Sequence, residues 1–131
     1  MAVYVRDSHT SMALRRMRSA PRIWLTPFHK MEIAHGLAQK AFRHELSPAT
    51  VDLIHDQLAQ DCSTGLWILA DLPPLVFETG TSLARTHVAK VGTRTLDTLH
   101  VASALELRAT EFWTFDDRQA KLAKAVGLKV S

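Results

Sequence analysis

Two consecutive stretches decide the fold class: Arg94-Thr95-Leu96-Asp97-Thr98-Leu99-His100-Val101-Ala102-Ser103-Ala104-Leu105, and then Glu111-Phe112-Trp113-Thr114-Phe115-Asp116-Asp117. In the first, Leu96, Leu99, Ser103 and Leu107 recur at helical spacing on one side, with Val101 and Leu105 on another. Apolar residues over so much of the circumference predict a helix over 95–107 that is buried on more than one face. The second is a short run of bulky residues, 111–115, that reads as a strand. A short basic helix over 117–125 and a last strand over 128–130 follow.

Working toward the N-terminus, the same alternation recurs. Residues 76–90 read as a helix with Leu83, His87 and Lys90 at helical spacing, closed by Gly92. Residues 66–69 read as a second strand, stopped by Asp71 and Pro73-Pro74. Two helix starts carry the same device, a hydroxyl N-cap followed by proline at the first helical position: Thr26-Pro27 and Ser47-Pro48. The first opens a helix over 27–42 with Met31, Ala34, Ala38 and Ala41 on one face. The second opens a helix carrying Val51, Ile54, His55 and Leu58, ended by Gly65. Residues 22–26 read as a short buried strand. Alternating strands and helices predict an α/β fold with a parallel sheet covered on both sides. The N-terminus fits less well: Val3-Tyr4-Val5 is only a fragment of a strand, followed at once by a helical pattern over 8–18.

Composition narrows the class. A chain of 131 residues with 47% hydrophobic and 22% charged residues is one globular domain's worth, and disorder is not expected. No apolar run approaches the ~20 residues of a membrane helix. Residues 1–19 carry Arg6, Asp7, Arg15, Arg16 and Arg18 without an apolar core, so no secretory leader is read there. Cys62 is the one cysteine and the 7 His are scattered, which gives no disulfide framework and no zinc pattern. A cytoplasmic location is the expectation, with Cys62 a small buried apolar residue. The net charge of +3 permits a polyanionic partner without establishing one.

In open parallel sheets, sites form at the carboxyl ends of strands. Three carboxylates fall at such places: Glu32 early in the helix after the first clear strand, Asp97 in the first turn of the most buried helix, and Asp116 directly after the strand over 111–115. Each has an ordinary structural explanation as well. Asp97 can favour a positive helix N-terminus, Asp116 can cap the helix after it, and Glu32 can pair with Lys30 or Lys40 on a solvated face. Gathered at one edge, such acids would repel unless a cation sat among them, and oxygen-only ligands suit Mg²⁺ or Mn²⁺.

These residues carry a resemblance. The stretch 94–105 with Phe112-Trp113-Thr114-Phe115-Asp116-Asp117-Arg118-Gln119 looks like the C-terminal half of PIN domains. Leu25-Thr26-Pro27-Phe28-His29-Lys30-Met31-Glu32-Ile33 is similar to the segment bearing that family's second acid, and 122–130 resembles its last helix and strand. The likeness covers nearly the whole chain and is strongest to the VapC-type ribonuclease toxins. It implies a single PIN-like domain over 1–131 with a three-layer α/β/α fold, a short, mostly parallel sheet and an opening central strand that is short or missing. It also implies that Glu32, Asp97 and Asp116 are catalytic and metal-holding, with Thr114 the small hydroxyl residue two before the last acid. Asp7-Ser8 superficially matches the family's first acid. However, Arg6 stands where an apolar residue belongs, and 4–10 reads better as the segment entering the first helix, which places the opening strand upstream of Met1. His35 stands where the subgroup often carries Asn.

The activity implied is Mg²⁺- or Mn²⁺-dependent hydrolysis of RNA by one member of a toxin–antitoxin pair, with a cognate antitoxin and a homodimer as partners. Arg94, Lys30, Arg118 and Lys121 flank the acids and could steer a phosphate backbone. Trp24 and Trp113, mid-strand, read as core rather than base-stacking residues. The competing reading is a module that keeps the fold and binds antitoxin or RNA without cleaving. Leu14, Met17, Val51, Ile54 and Leu58 are its candidate interface, though core packing is the stronger reading of the same residues. A phosphatase or other metal hydrolase ranks last, because it needs a nucleophilic Asp after the first strand.

Overall fold

Thr26 holds an extended backbone, φ −89° and ψ 166°, and Pro27 takes the next position with its fixed φ and no N–H to leave unpaired. The chain therefore turns into helix at that point. In the computed structural model, which describes residues 3–19 and 23–131, the helix runs Pro27–Phe42. The chain forms two compact units, Met1–Asp71 and Leu72–Ser131.

The first unit contains α1 (Thr10–Ser19), β1 (Ile23–Leu25), α2 (Pro27–Phe42), α3 (Pro48–Ser63) and β2 (Trp67–Leu69). Ser47 starts α3 by accepting a 3.1 Å hydrogen bond from the Thr50 amide on Oγ. β1 and β2 pair in parallel, with Ile23 opposite Trp67 and Leu25 opposite Leu69. Arg22, the expected first residue of β1, lies outside the described residues. The core is Leu25, Ile33, Leu37 and Leu58, with Val51, Ile54, Cys62 and Trp67 packed against it.

Two expectations change here and one is met. α2 buries Ile33 and Leu37, one turn apart, instead of the face carrying Met31, which is 52% exposed. Two large branched side chains remove more apolar area from water than a face of alanines would. Val51, Ile54 and Leu58 serve the core, the stronger of the two readings, and of the candidate interface only Leu14 is exposed. Trp24 is also exposed, at 39%, because its neighbours Ile23 and Leu25 take the other side of the strand.

Residues 3–5 are turned, not extended. Their anchor is Tyr4, whose hydroxyl donates to Asp61 Oδ2 at 2.7 Å and accepts from the Trp67 indole N–H. Asp7 closes a local turn, its Oδ1 accepting from the His9 amide at 2.8 Å just ahead of α1. The segment over 4–10 thus leads into the first helix.

The second unit contains α4 (Val76–Leu83), a π-helical turn (Ala84–Val88), α5 (Ala89–Val91), α6 (Thr95–Glu106), β3 (Glu111–Phe112), α7 (Asp117–Ala125) and β4 (Lys129–Val130). The expected helix over 76–90 is there as one helical run. Within its π turn, Thr86 Oγ1 donates back to the Ser82 carbonyl at 2.9 Å. Gly92, at φ 72°, supplies the left-handed residue that stops it. α6 buries Thr98, His100, Val101, Ala102, Ser103 and Ala104, burial on more than one face as its sequence predicts. The core is Val76, Leu83, Val101, Ala102, Leu122 and Ala123. β3 and β4 pair in parallel, Glu111 opposite Lys129 and Phe112 opposite Val130.

The architecture is α/β with short parallel sheets. Among the described residues the strands form two two-stranded sheets, β1–β2 and β3–β4.

Candidate active site

The second unit collects its polar chemistry where β3 ends and where α6 and α7 begin. β3 is shorter than the run 111–115 predicts. After Phe112 the chain leaves the sheet, and Thr114 turns its hydroxyl to local partners. Oγ1 accepts from the Asp116 amide at 3.0 Å and donates to Gln119 Oε1 at 2.9 Å. Such side-chain bonds to nearby backbone compete with continued strand pairing.

Asp116 is the N-cap of α7. Its Oδ1 accepts from the amides of Arg118 (2.8 Å) and Gln119 (2.9 Å). Asp97 occupies the third position of α6, and its Oδ2 reaches back to the Arg94 amide at 3.0 Å. This is half of a capping box; the guanidinium of Arg94 has no acceptor with which to complete it. The ordinary structural roles of both acids are therefore real. They also put two carboxylates at the positive ends of two helices.

A single residue joins them. Gln119 Nε2 donates to Asp97 Oδ1 at 2.9 Å, while its own backbone amide donates to Asp116 Oδ1. Asp97 and Asp116 are thus each one hydrogen bond from Gln119, and Thr114 closes the ring. Arg118 Nη1 adds a bond to the Gly92 carbonyl at 3.3 Å, which ties the start of α7 to the loop before α6. Asp97 is half-buried and Asp116 exposed.

Glu32 belongs to the first unit, half-buried in the second turn of α2 next to the core residue Ile33. The start of its helix is secured by His29, whose Nδ1 accepts from the Thr26 amide at 3.1 Å and lies 2.8 Å from Thr26 Oγ1. Within neither unit, among the described residues, do three or more His, Cys, Asp or Glu side chains gather into a metal-holding group. Lys30, Arg94, Arg118 and Lys121 are exposed; Trp113 is half-buried and lies just past β3.

Gln119 was not singled out by the sequence. The signal available was weak: Asp116 followed three residues later by Gln has the spacing of a capping box, which points Gln at its own helix start. Only the fold reveals that it reaches a different helix.

No curated protein matches the chain. Among the described residues no helix is long and apolar enough to cross a membrane. The family model of the PIN domain matches residues 1–125. PIN domains are usually nucleases, generally use divalent metals, and interact with RNA or other nucleic acid. The match takes in Glu32, Asp97, Thr114, Asp116 and Gln119 and nearly all of both units, and on it the chain belongs to the PIN domain family.

Proposed function

We propose that the protein is a metal-dependent endoribonuclease of the VapC toxin type, with Asp97, Asp116 and Glu32 as its acidic residues. The observation that carries this reading is the joining of Asp97 and Asp116 through Gln119 at the starts of two helices. The donor set fits Mg²⁺ or Mn²⁺: it offers carboxylate oxygens with neither thiolate nor imidazole, and Asp116 Oδ2 accepts no hydrogen bond among the described residues. Mg²⁺ sites commonly use one or two carboxylates and leave the rest to water and substrate phosphate. Asp97 and Asp116 would hold the cation, with Glu32 the third acid. When bound, the ion would lower the pKa of an attacking water and offset charge on the phosphoryl oxygens.

The chain's own residues do the rest. Asp97 and Asp116 are fixed by their helix starts, so little rotamer freedom is lost on binding. The exposed guanidinium of Arg118 and the exposed Arg94 and Lys121 attract and align the RNA backbone. Hydrolysis forms a bond from water oxygen to phosphorus and breaks one ester P–O bond, the departing oxygen taking a proton. The toxin–antitoxin setting, a homodimer and a cytoplasmic location belong to the same reading.

One observation favours the non-cleaving module instead: both oxygens of Asp97 and one of Asp116 already accept hydrogen bonds within the unit. Cleavage of a labelled single-stranded RNA decides between them. The nuclease reading expects Mn²⁺-dependent cutting that disappears in Asp97→Asn. Intact RNA with the wild-type protein, or cutting that survives the substitution, rejects it.

A further inference from the structure

We propose that Gln119 is a positioning residue for Asp97, a neutral clamp that fixes the carboxylate's orientation for a cation while leaving its charge intact; this rests on the nuclease reading above.

Gln119 stands three residues after the N-cap Asp116, where a Gln side chain ordinarily returns to the N-cap amide. That amide is taken by Thr114 Oγ1 instead. The Gln119 side chain is released from its local partner and spans 22 positions of sequence to Asp97. Its orientation is fixed chemically. The Thr114 hydroxyl donates to Oε1, so the NH₂ end must face the carboxylate, which only accepts. Asp97 is thereby held at both oxygens, by the Arg94 amide on Oδ2 and by Gln119 on Oδ1. A carboxylate oxygen has more than one acceptor site, so Oδ1 keeps capacity for a cation. A lysine in this place would also reach Asp97, but its charge would compete with a divalent ion. An amide orients without neutralising. Hydrogen-bond partners of metal-holding carboxylates commonly contribute about 10–100-fold to metal affinity.

The test is Mn²⁺ binding by calorimetry on the full chain, with thermal unfolding run in parallel. Gln119→Met keeps the side-chain length and removes both amide bonds. It should weaken Mn²⁺ binding by about 10–100-fold, and RNA cleavage should fall at limiting Mn²⁺ and recover when the ion is raised. Gln119→Lys keeps a donor toward Asp97 and supplies folded protein if the methionine variant does not fold. It should weaken Mn²⁺ binding as well, without loss of melting temperature. Wild-type affinity in either variant overturns the clamp. A flat titration with the wild-type protein overturns the nuclease reading itself, so the two failures are distinct.

Discussion

Gln119 Nε2 lies 2.9 Å from Asp97 Oδ1, a contact between the first turns of α7 and α6. The same residue's backbone amide is bonded to Asp116. Both acids thus serve helix structure while facing one shared neighbour, and stability and activity must be separated experimentally at each of them.

At Asp116 the separation is direct. Asp116→Ala removes the N-cap of α7 and should destabilise the protein by about 1 kcal/mol. Asp116→Ser restores a capping oxygen and should recover most of that stability, because Ser caps about as well as Asp. Neither variant restores a carboxylate, so both should lack RNA cleavage. Urea unfolding and a cleavage assay on the pair would check this. A serine variant that cleaves like the wild type would assign Asp116 to capping alone.

The helix that carries Gln119 also feeds the core, through Leu122 and Ala123. Leu122 is fully buried, one turn beyond Gln119 on α7, and packs with Val76, Val101 and Ala102. Leu122→Ala should cost about 2–5 kcal/mol, the range for a leucine cavity that its surroundings cannot fill. Denaturant unfolding measures the loss. A change below about 1 kcal/mol would mean that α7 is not held by this packing.

The chain's one tyrosine gives a pH prediction. Burial, and then the hydrogen bond to Asp61, hold the Tyr4 hydroxyl well above its ordinary range, with the Trp67 contact opposing them. The folded state keeps the proton more tightly than the unfolded chain, whose tyrosine ionises near pH 10, at about the usual value. The stabilisation is therefore fully present below about pH 10 and is lost as pH rises beyond it. Phenolate absorbance reports Tyr4 alone and should appear together with unfolding, not before it. Tyr4→Phe should flatten the alkaline fall in stability. Early phenolate formation in the folded protein would contradict the burial.

Much of this arrangement is legible in the sequence. Thr26-Pro27 and Ser47-Pro48 combine an N-cap oxygen with a proline whose φ is already helical, and α2 and α3 begin at Pro27 and Pro48. Gly92 ends its helix because a left-handed residue is needed there. What stayed hidden depends on competition between partners. Thr114 reads as strand in the sequence, but its hydroxyl finds Asp116 and Gln119, and β3 ends two residues after it starts. The π turn at 84–88 leaves the apolar spacing nearly unchanged, so periodicity does not reveal it. The strand fragment over 3–5 is overridden by Tyr4, which finds Asp61 and Trp67 more than fifty positions away. Asp97 and Asp116 stand out in the sequence as acids at helix starts; the residue connecting them does not, since its contact crosses from one helix to another.

The most direct test is a Mn²⁺ titration followed by calorimetry on the wild-type chain, Asp97→Asn and Asp116→Asn. The expected result is saturable binding by the wild type, and its loss in both variants without loss of the folded state. Binding that persists undiminished in both variants, or no binding by the wild type, would contradict a cation site built on Asp97 and Asp116.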